Sequence, residues 1–156
     1  IMKKEIKIFI VGGARGIGVY TSLKKKYVEV RYFRNEEDCI AAVHLNPDIL
    51  IVDEDLKKSD PMQFLCSIKA MSNAHVLFLS KDRHFNHVRK AFKSGASDYV
   101  LKDSYLYYSV HQFINRVLRQ TNHLTHDISS YDCRQKSAFS LIHPVKFRLY
   151  QWFTHP

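Results

Sequence analysis

The chain has 156 residues, enough for one domain with a short appendage and for a core that needs no metal or disulfide support. Hydrophobic residues make up 46% and charged residues 25%, which excludes a wholly disordered protein, and no apolar run approaches the roughly 18 residues of a membrane span. The net charge of +9 is spread out, with 20 basic and 13 acidic residues up to Asn122 and 4 and 2 beyond it, so solvated lysine faces account for it better than a nucleic-acid footprint.

The first apolar segment, Ile6 to Val11, reads as a strand ended by Gly12-Gly13 and is too short for a signal peptide. A helix is expected from Gly16 to Lys26, then a strand over Val28 to Phe33. Asn35 can cap the next helix, with Glu36, Glu37 and Asp38 in the first turn, where they suit the helix dipole, and Asn46-Pro47 stops it. Ile49 to Val52 is apolar at every position, as expected of a strand covered on both faces. Asp60-Pro61 reads as an N-cap with proline at the first helical position, opening a helix that ends near Asn73.

Val76 to Leu79 is a fourth strand, and Val88, Ala91 and Phe92 mark a helix face closed by Gly95. Tyr99 to Leu101 is a fifth strand, followed by apolar residues at helical spacing from a Ser104 cap to Leu118. Five strand–helix units imply an α/β fold, a parallel sheet with helices on both faces. A domain over residues 1–122 is expected, followed by a polar linker from His123 and an aromatic extension to residue 156. That extension holds Phe139, Phe147, Tyr150, Trp152 and Phe153, interrupted by Pro144.

Ligands of open parallel sheets bind outside the carboxyl ends of the strands. Here that edge receives Gly12-Gly13 from the first strand, Asp53-Glu54-Asp55 from the third, Ser80 from the fourth and Lys102 from the fifth. Strand ends commonly carry polar residues, so one of these alone would mean little. A carboxylate, a hydroxyl and an ammonium at consecutive places on one edge form a candidate site. Asp53 would act as nucleophile or metal ligand, Ser80 would donate to an anionic oxygen, and Lys102 would neutralise developing charge.

Three segments carry a resemblance: Pro47-Asp48-Ile49-Leu50-Ile51-Val52-Asp53, Phe78-Leu79-Ser80, and Ser94 to Lys102. Together they resemble the signature segments of response regulator receiver domains, over about residues 5–120. The resemblance implies a flavodoxin-like (βα)5 fold with strand order 2-1-3-4-5. It also implies Asp53 as phosphoacceptor, with Lys102 and Ser80 beside it and Tyr99 as the aromatic switch. The implied setting is a bacterial two-component phosphorelay in the cytoplasm, with no enzymatic activity of its own. A histidine kinase or other signalling protein would be the partner, a homodimer is a further expectation, and neither nucleic acid nor membrane is expected.

One departure bears on the chemistry. Receivers end their first strand with an acidic pair that holds Mg²⁺, and Gly12 and Gly13 stand there instead. Mg²⁺ is bound through carboxylates and substrate oxygens, and Asp53 alone offers too few of them. Glu54 is expected to leave from the other face of the strand end. Arg15 would either replace the metal's charge or pair with Asp53, and a standing ion pair of Asp53 with Lys102, with or without Arg15, is the expected hold on the pocket. No cofactor is therefore expected, and signalling is expected to proceed by protein–protein recognition without ordinary metal-dependent phosphorylation.

Two rival readings remain. Gly12, Gly16 and Gly18 follow a strand and open a helix with the spacing of a reductase-type nucleotide loop, although a lone glycine pattern is weak evidence. His84 and His87, and likewise His123 and His126, share a helical face, but no further ligand is fixed by spacing.

Overall fold

The computed structural model describes residues 6–126, with side chains described through residue 121. The aromatic extension and Cys133 lie outside the described residues. In chain order the elements are β1 (Lys7–Val11), α1 (Ala14–Lys24), β2 (Glu29–Phe33), α2 (Glu36–Ala42), β3 (Ile49–Asp53), α3 (Pro61–Met71), β4 (His75–Ser80), α4 (Phe85–Ser94), β5 (Asp98–Leu101) and α5 (Leu106–His126). A single 3-10 turn, Val43–Leu45, follows α2. The five strands form one parallel sheet in the order β2-β1-β3-β4-β5, as the resemblance implies.

The central strands owe their position to composition. Ile8 to Val11 and Ile49 to Val52 are wholly buried, because helices cover both faces of the sheet. On one face Ile8, Ile10, Ile49, Ile51, Leu77, Leu79 and Val100 pack with Val19 and Leu23 of α1 and with Leu106, Val110, Phe113, Ile114 and Val117 of α5. The pleat turns the alternate residues, Phe9, Leu50, Val52 and Phe78, to the other face. There Phe9 meets Phe33 edge-on at 5.1 Å and Phe78 lies 5.7 Å from Tyr99.

The helix ends follow local chemistry. Asn35 Oδ1 accepts from Asp38 N–H at 2.9 Å and caps α2, while Asp60 Oδ2 accepts from Gln63 N–H at 3.1 Å and caps α3 ahead of Pro61. Asn46 takes the left-handed conformation that ends the turn after α2. Two expectations shift. The turn into α5 is held by Asp103 rather than Ser104, since Asp103 Oδ1 accepts from Tyr105 N–H at 2.8 Å and its carbonyl accepts from Leu106 N–H. The helix itself runs on through His126, so the polar stretch from His123 begins as helix.

Register sets the site. Val11 pairs with Val52, Asp53 with Leu79, and Ser80 with Leu101, so Gly12, Asp53, Ser80 and Lys102 emerge along one edge. Gly95 closes α4 at φ +120°, and a Cβ there would lie 2.9 Å from Lys69 Cβ. Gly95→Ala should therefore lower stability by about 1–2 kcal/mol, read as a lower urea midpoint with an unchanged slope.

Candidate functional site

The carboxyl edge gathers the expected residues and two more. Asp53 is fully buried, and so is the Lys102 side chain. Lys102 Nζ forms an ion pair with Asp53 Oδ1, another with Asp55 Oδ2 at 2.8 Å, and lies 3.5 Å from Glu54 Oε1. Asp53 Oδ1 also accepts from Asp55 N–H at 3.0 Å, and Oδ2 accepts from Gly16 N–H, at the start of α1, at 3.1 Å. Both oxygens of the buried carboxylate are thus engaged.

Glu54 departs from expectation. The strand ends at Asp53, so alternation no longer dictates the next side chain. Its backbone N–H still bonds Leu79 O, but its carboxylate folds over the end of β4. There Oε2 accepts from Ser80 Oγ and Oε1 from Lys81 N–H at 2.6 Å. Ser80 Oγ in turn accepts from Asp82 N–H at 3.0 Å, and Tyr99 donates its hydroxyl proton to Asp82 O at 2.7 Å. Ser80 and Tyr99 are therefore joined through the β4–α4 loop. Burial pushes the Tyr99 phenol up to about 12, so it stays a donor at neutral pH. Asp55 lies beyond the strand end and reaches Lys102 Nζ from there.

Arg15 is exposed and forms no ion pair with Asp53 among the described residues. Lys102 takes that role alone. Its own burial lowers its pKa, but the hydrogen bonds and charges of Asp53 and Asp55, with the charge of Glu54, outweigh burial and leave it raised. The Lys102 hydrogen bond holds the Asp55 carboxyl below the ordinary carboxylate range. A depressed carboxylate contributes stability above its unfolded pKa, lost as pH falls through the folded value. A raised lysine contributes below its unfolded pKa, and that is lost as pH rises through the folded value. The Lys102–Asp55 contribution is thus fully present between about pH 4 and 10.

The glycines explain themselves here. Gly12 has φ +126°, and a Cβ on it would lie 2.5 Å from Asp53 Cβ. Backbone at this point lies directly against the carboxylate-bearing residue, and Tyr32 fixes it by donating its hydroxyl to Gly12 O at 2.6 Å. The nucleotide-loop reading loses its ground. The Gly16 N–H that would meet a phosphate donates to Asp53, Gly18 packs against the Tyr107 hydroxyl, and three carboxylates line the edge. Of the histidines, His84 Nδ1 lies 2.6 Å from Asp82 Oδ1 and His87 Nδ1 lies 3.6 Å from Asp82 Oδ2, while the side chains of His123 and His126 lie outside the described residues. Cys39 is buried, which pushes its thiol up to about 12 and leaves it inert.

The model of the response regulator receiver domain family matches residues 15–107. The chain belongs to that family. Solved structures agree on the fold. A two-component response regulator from Clostridium difficile matches with a TM-score of 0.68 at 20% identity, over 75% of this chain and 98% of that one. The chemotaxis response regulator CheY4 of Vibrio cholerae matches at 0.64 and 17%, over 73% and 99%. The Francisella response regulator 1452 receiver domain matches at 0.66 and 18%, over 74% and 98%. A search of curated protein sequences finds no match.

Receiver domains use Mg²⁺ at this edge, and the residues of this receiver do not fit it. Gly12 and Gly13 bring no side-chain oxygen, both oxygens of Asp53 and of Glu54 already accept hydrogen bonds, and the Lys102 ammonium stands between Asp53 and Asp55. Gly12→Asp, the change that would add a ligand, should instead destabilise the domain by about 2–4 kcal/mol, from strain at positive φ and overlap with Asp53. Urea unfolding checks this, and titration calorimetry should show no gain in Mg²⁺ affinity. Lys102→Met should cost about 3–5 kcal/mol at neutral pH, because it leaves Asp53 buried and unpaired. The part of that loss that comes from Asp55, whose carboxyl Lys102 holds below its ordinary range, should vanish as pH falls through that lowered value, which urea midpoints across a pH series would read directly.

Proposed function

We propose that residues 1–122 form a receiver that works as a protein-interaction module of a two-component pathway, with its acceptor carboxylate held by a lysine rather than exposed to a metal. The observation that carries this reading is Lys102 Nζ bridging Asp53 and Asp55, with Gly12 backbone packed against Asp53. By family resemblance Asp53 is the phosphoacceptor position, Ser80 and Lys102 flank it, and Tyr99 is the switch residue. Phosphoryl transfer to Asp53 needs an open carboxylate oxygen and a neutralising cation on the incoming phosphoryl group. Here the oxygens accept from Gly16, Asp55 and Lys102, which supports a site that does not turn over.

A switch without phosphate must rest in one state or be biased by another ligand that binds the two states differently. The chain Lys102–Glu54–Ser80–Asp82–Tyr99 supports the first alternative, since each link is a direct hydrogen bond or ion-pair contact. The surface around Tyr99 is then constitutively in one arrangement, ready for a histidine kinase or another signalling protein. Residues 123–156 are the extension of this module in the same reading.

The test is incubation of the full chain with acetyl phosphate and Mg²⁺, followed by intact-mass and peptide mass spectrometry. The expected outcome is an unlabelled Asp53, and a melting temperature that neither Mg²⁺ nor a chelator moves. Rapid stoichiometric labelling that Asp53→Asn abolishes would overturn the reading.

A further inference from the structure

Two histidines surround one carboxylate where β4 leads into α4. Asp82 Oδ1 accepts from the His84 backbone N–H at 2.8 Å and lies 2.6 Å from His84 Nδ1, while Oδ2 lies 3.6 Å from His87 Nδ1. The same aspartate carries the links to the switch residues. Its N–H donates to Ser80 Oγ at 3.0 Å, and its carbonyl accepts from the Tyr99 hydroxyl at 2.7 Å. The His87 ring stands 6.2 Å from Phe78 and 6.1 Å from Tyr99, edge-on to the tyrosine, so the three rings form one aromatic group.

The two imidazoles differ in what a second ring proton would meet. The His84 side chain is 91% exposed, so its added proton would face water. His87 Nε2 is buried and has no hydrogen-bond partner. With Nδ1 turned toward Asp82, Nε2 carries the lone pair of the neutral ring, and protonation would put a charged N–H in a place without an acceptor. The surrounding groups do not supply one. The Asp82 carboxylate lies on the Nδ1 side and is shared with His84, the Tyr99 hydroxyl is directed to Asp82 O, and Glu54 at the end of β3 is taken by Ser80 and Lys81. Arg83 before α4 and Lys90 within it add only positive charge.

Resting on the reading of Tyr99 as a switch that keeps one arrangement without phosphate, we propose that His87 is a proton-operated latch on that switch. Neutral, it packs against Phe78 and Tyr99; protonated, its ring turns out to water and frees the link between Asp82 and Tyr99. The proton is then the ligand that binds the two arrangements differently, whatever the state of Asp53. Imidazoles change charge between about pH 5 and 8, a range in which the Lys102–Asp55 contribution stays whole, so the latch moves while that part of the site does not. One proton also sets the size of the effect, since it shifts the equilibrium by at most about tenfold per pH unit.

The experiment is NMR of the full chain, with ¹⁵N in the histidines and ¹³C in the aromatic rings, from about pH 8 to about pH 5 with EDTA present so that protons alone titrate. At the upper end His87 should show the Nδ1–H tautomer and cross-relaxation with the Phe78 and Tyr99 rings. As the ring gains its proton those contacts should be lost, and the Tyr99 ring and Asp82 amide signals should move with the same midpoint and a one-proton slope. His87→Phe, which keeps a ring beside Tyr99, should abolish the pH response of Tyr99, whereas His84→Gln should leave it. Ring contacts kept by a protonated His87, a His87 that gains no proton by the lower end, a Tyr99 response that survives His87→Phe, or one lost in His84→Gln would overturn the latch and leave the phosphate-independent reading standing. Acetyl phosphate with Mg²⁺ in place of EDTA, at the upper end of the range, should not move Tyr99. A shift there, with the pH results as expected, would overturn that reading and support the latch.

Discussion

A buried ammonium among carboxylates is the constraint on which the rest of this receiver depends. Lys102 and Asp53 are both removed from water, and neither could be accommodated alone, because an isolated buried charge costs several kcal/mol. The pair is tolerable because its remaining hydrogen-bonding capacity is met locally. Asp53 accepts from Gly16 and Asp55, and Lys102 reaches Asp55 as well. The end of β3, the start of α1 and the end of β5 are thereby fixed to one another at the carboxyl edge. A sheet otherwise held by its backbone ladder and by apolar packing against the helices is given a specific polar centre.

That centre extends sideways through Glu54. Had Glu54 followed strand alternation it would have pointed away from the edge. By folding over the end of β4 it ties Ser80, the Lys81 amide and, through Asp82, the Tyr99 hydroxyl to the lysine. Hydrogen bonds linked in this way in a partly buried setting reinforce one another, so the β4–α4 loop has one preferred arrangement. The glycine at the end of β1 belongs to the same design, since only a residue without a Cβ lets the backbone lie so close to Asp53.

Much of this was legible in the sequence, and the reason is periodicity. Apolar runs of four to six residues alternating with helical patterns give a five-strand parallel sheet, and the chain has it. Asn35, Asp60 and Gly95 mark helix ends through local chemistry that needs no tertiary information. Asp53, Ser80 and Lys102 at strand ends imply a shared edge, because parallel strands all finish on the same side. Architecture, edge and the residues delivered to it could thus be read from local pattern.

The folded chain settled which of the expected pairings forms: Asp53 with Lys102, as anticipated, and without Arg15. The choice between Arg15 and Lys102 as partner of Asp53 turns on distances across strands far apart in sequence, and the fold leaves Arg15 exposed while it buries Lys102. The direction of Glu54 was hidden because alternation ceases where a strand ends. The need for glycine at position 12 was hidden too, since a missing side chain shows in the sequence only as lost oxygen, whereas in the fold it is space already filled by Asp53. Local patterns fix where backbone goes; which charge meets which is settled by the packing of segments that only the folded chain brings together.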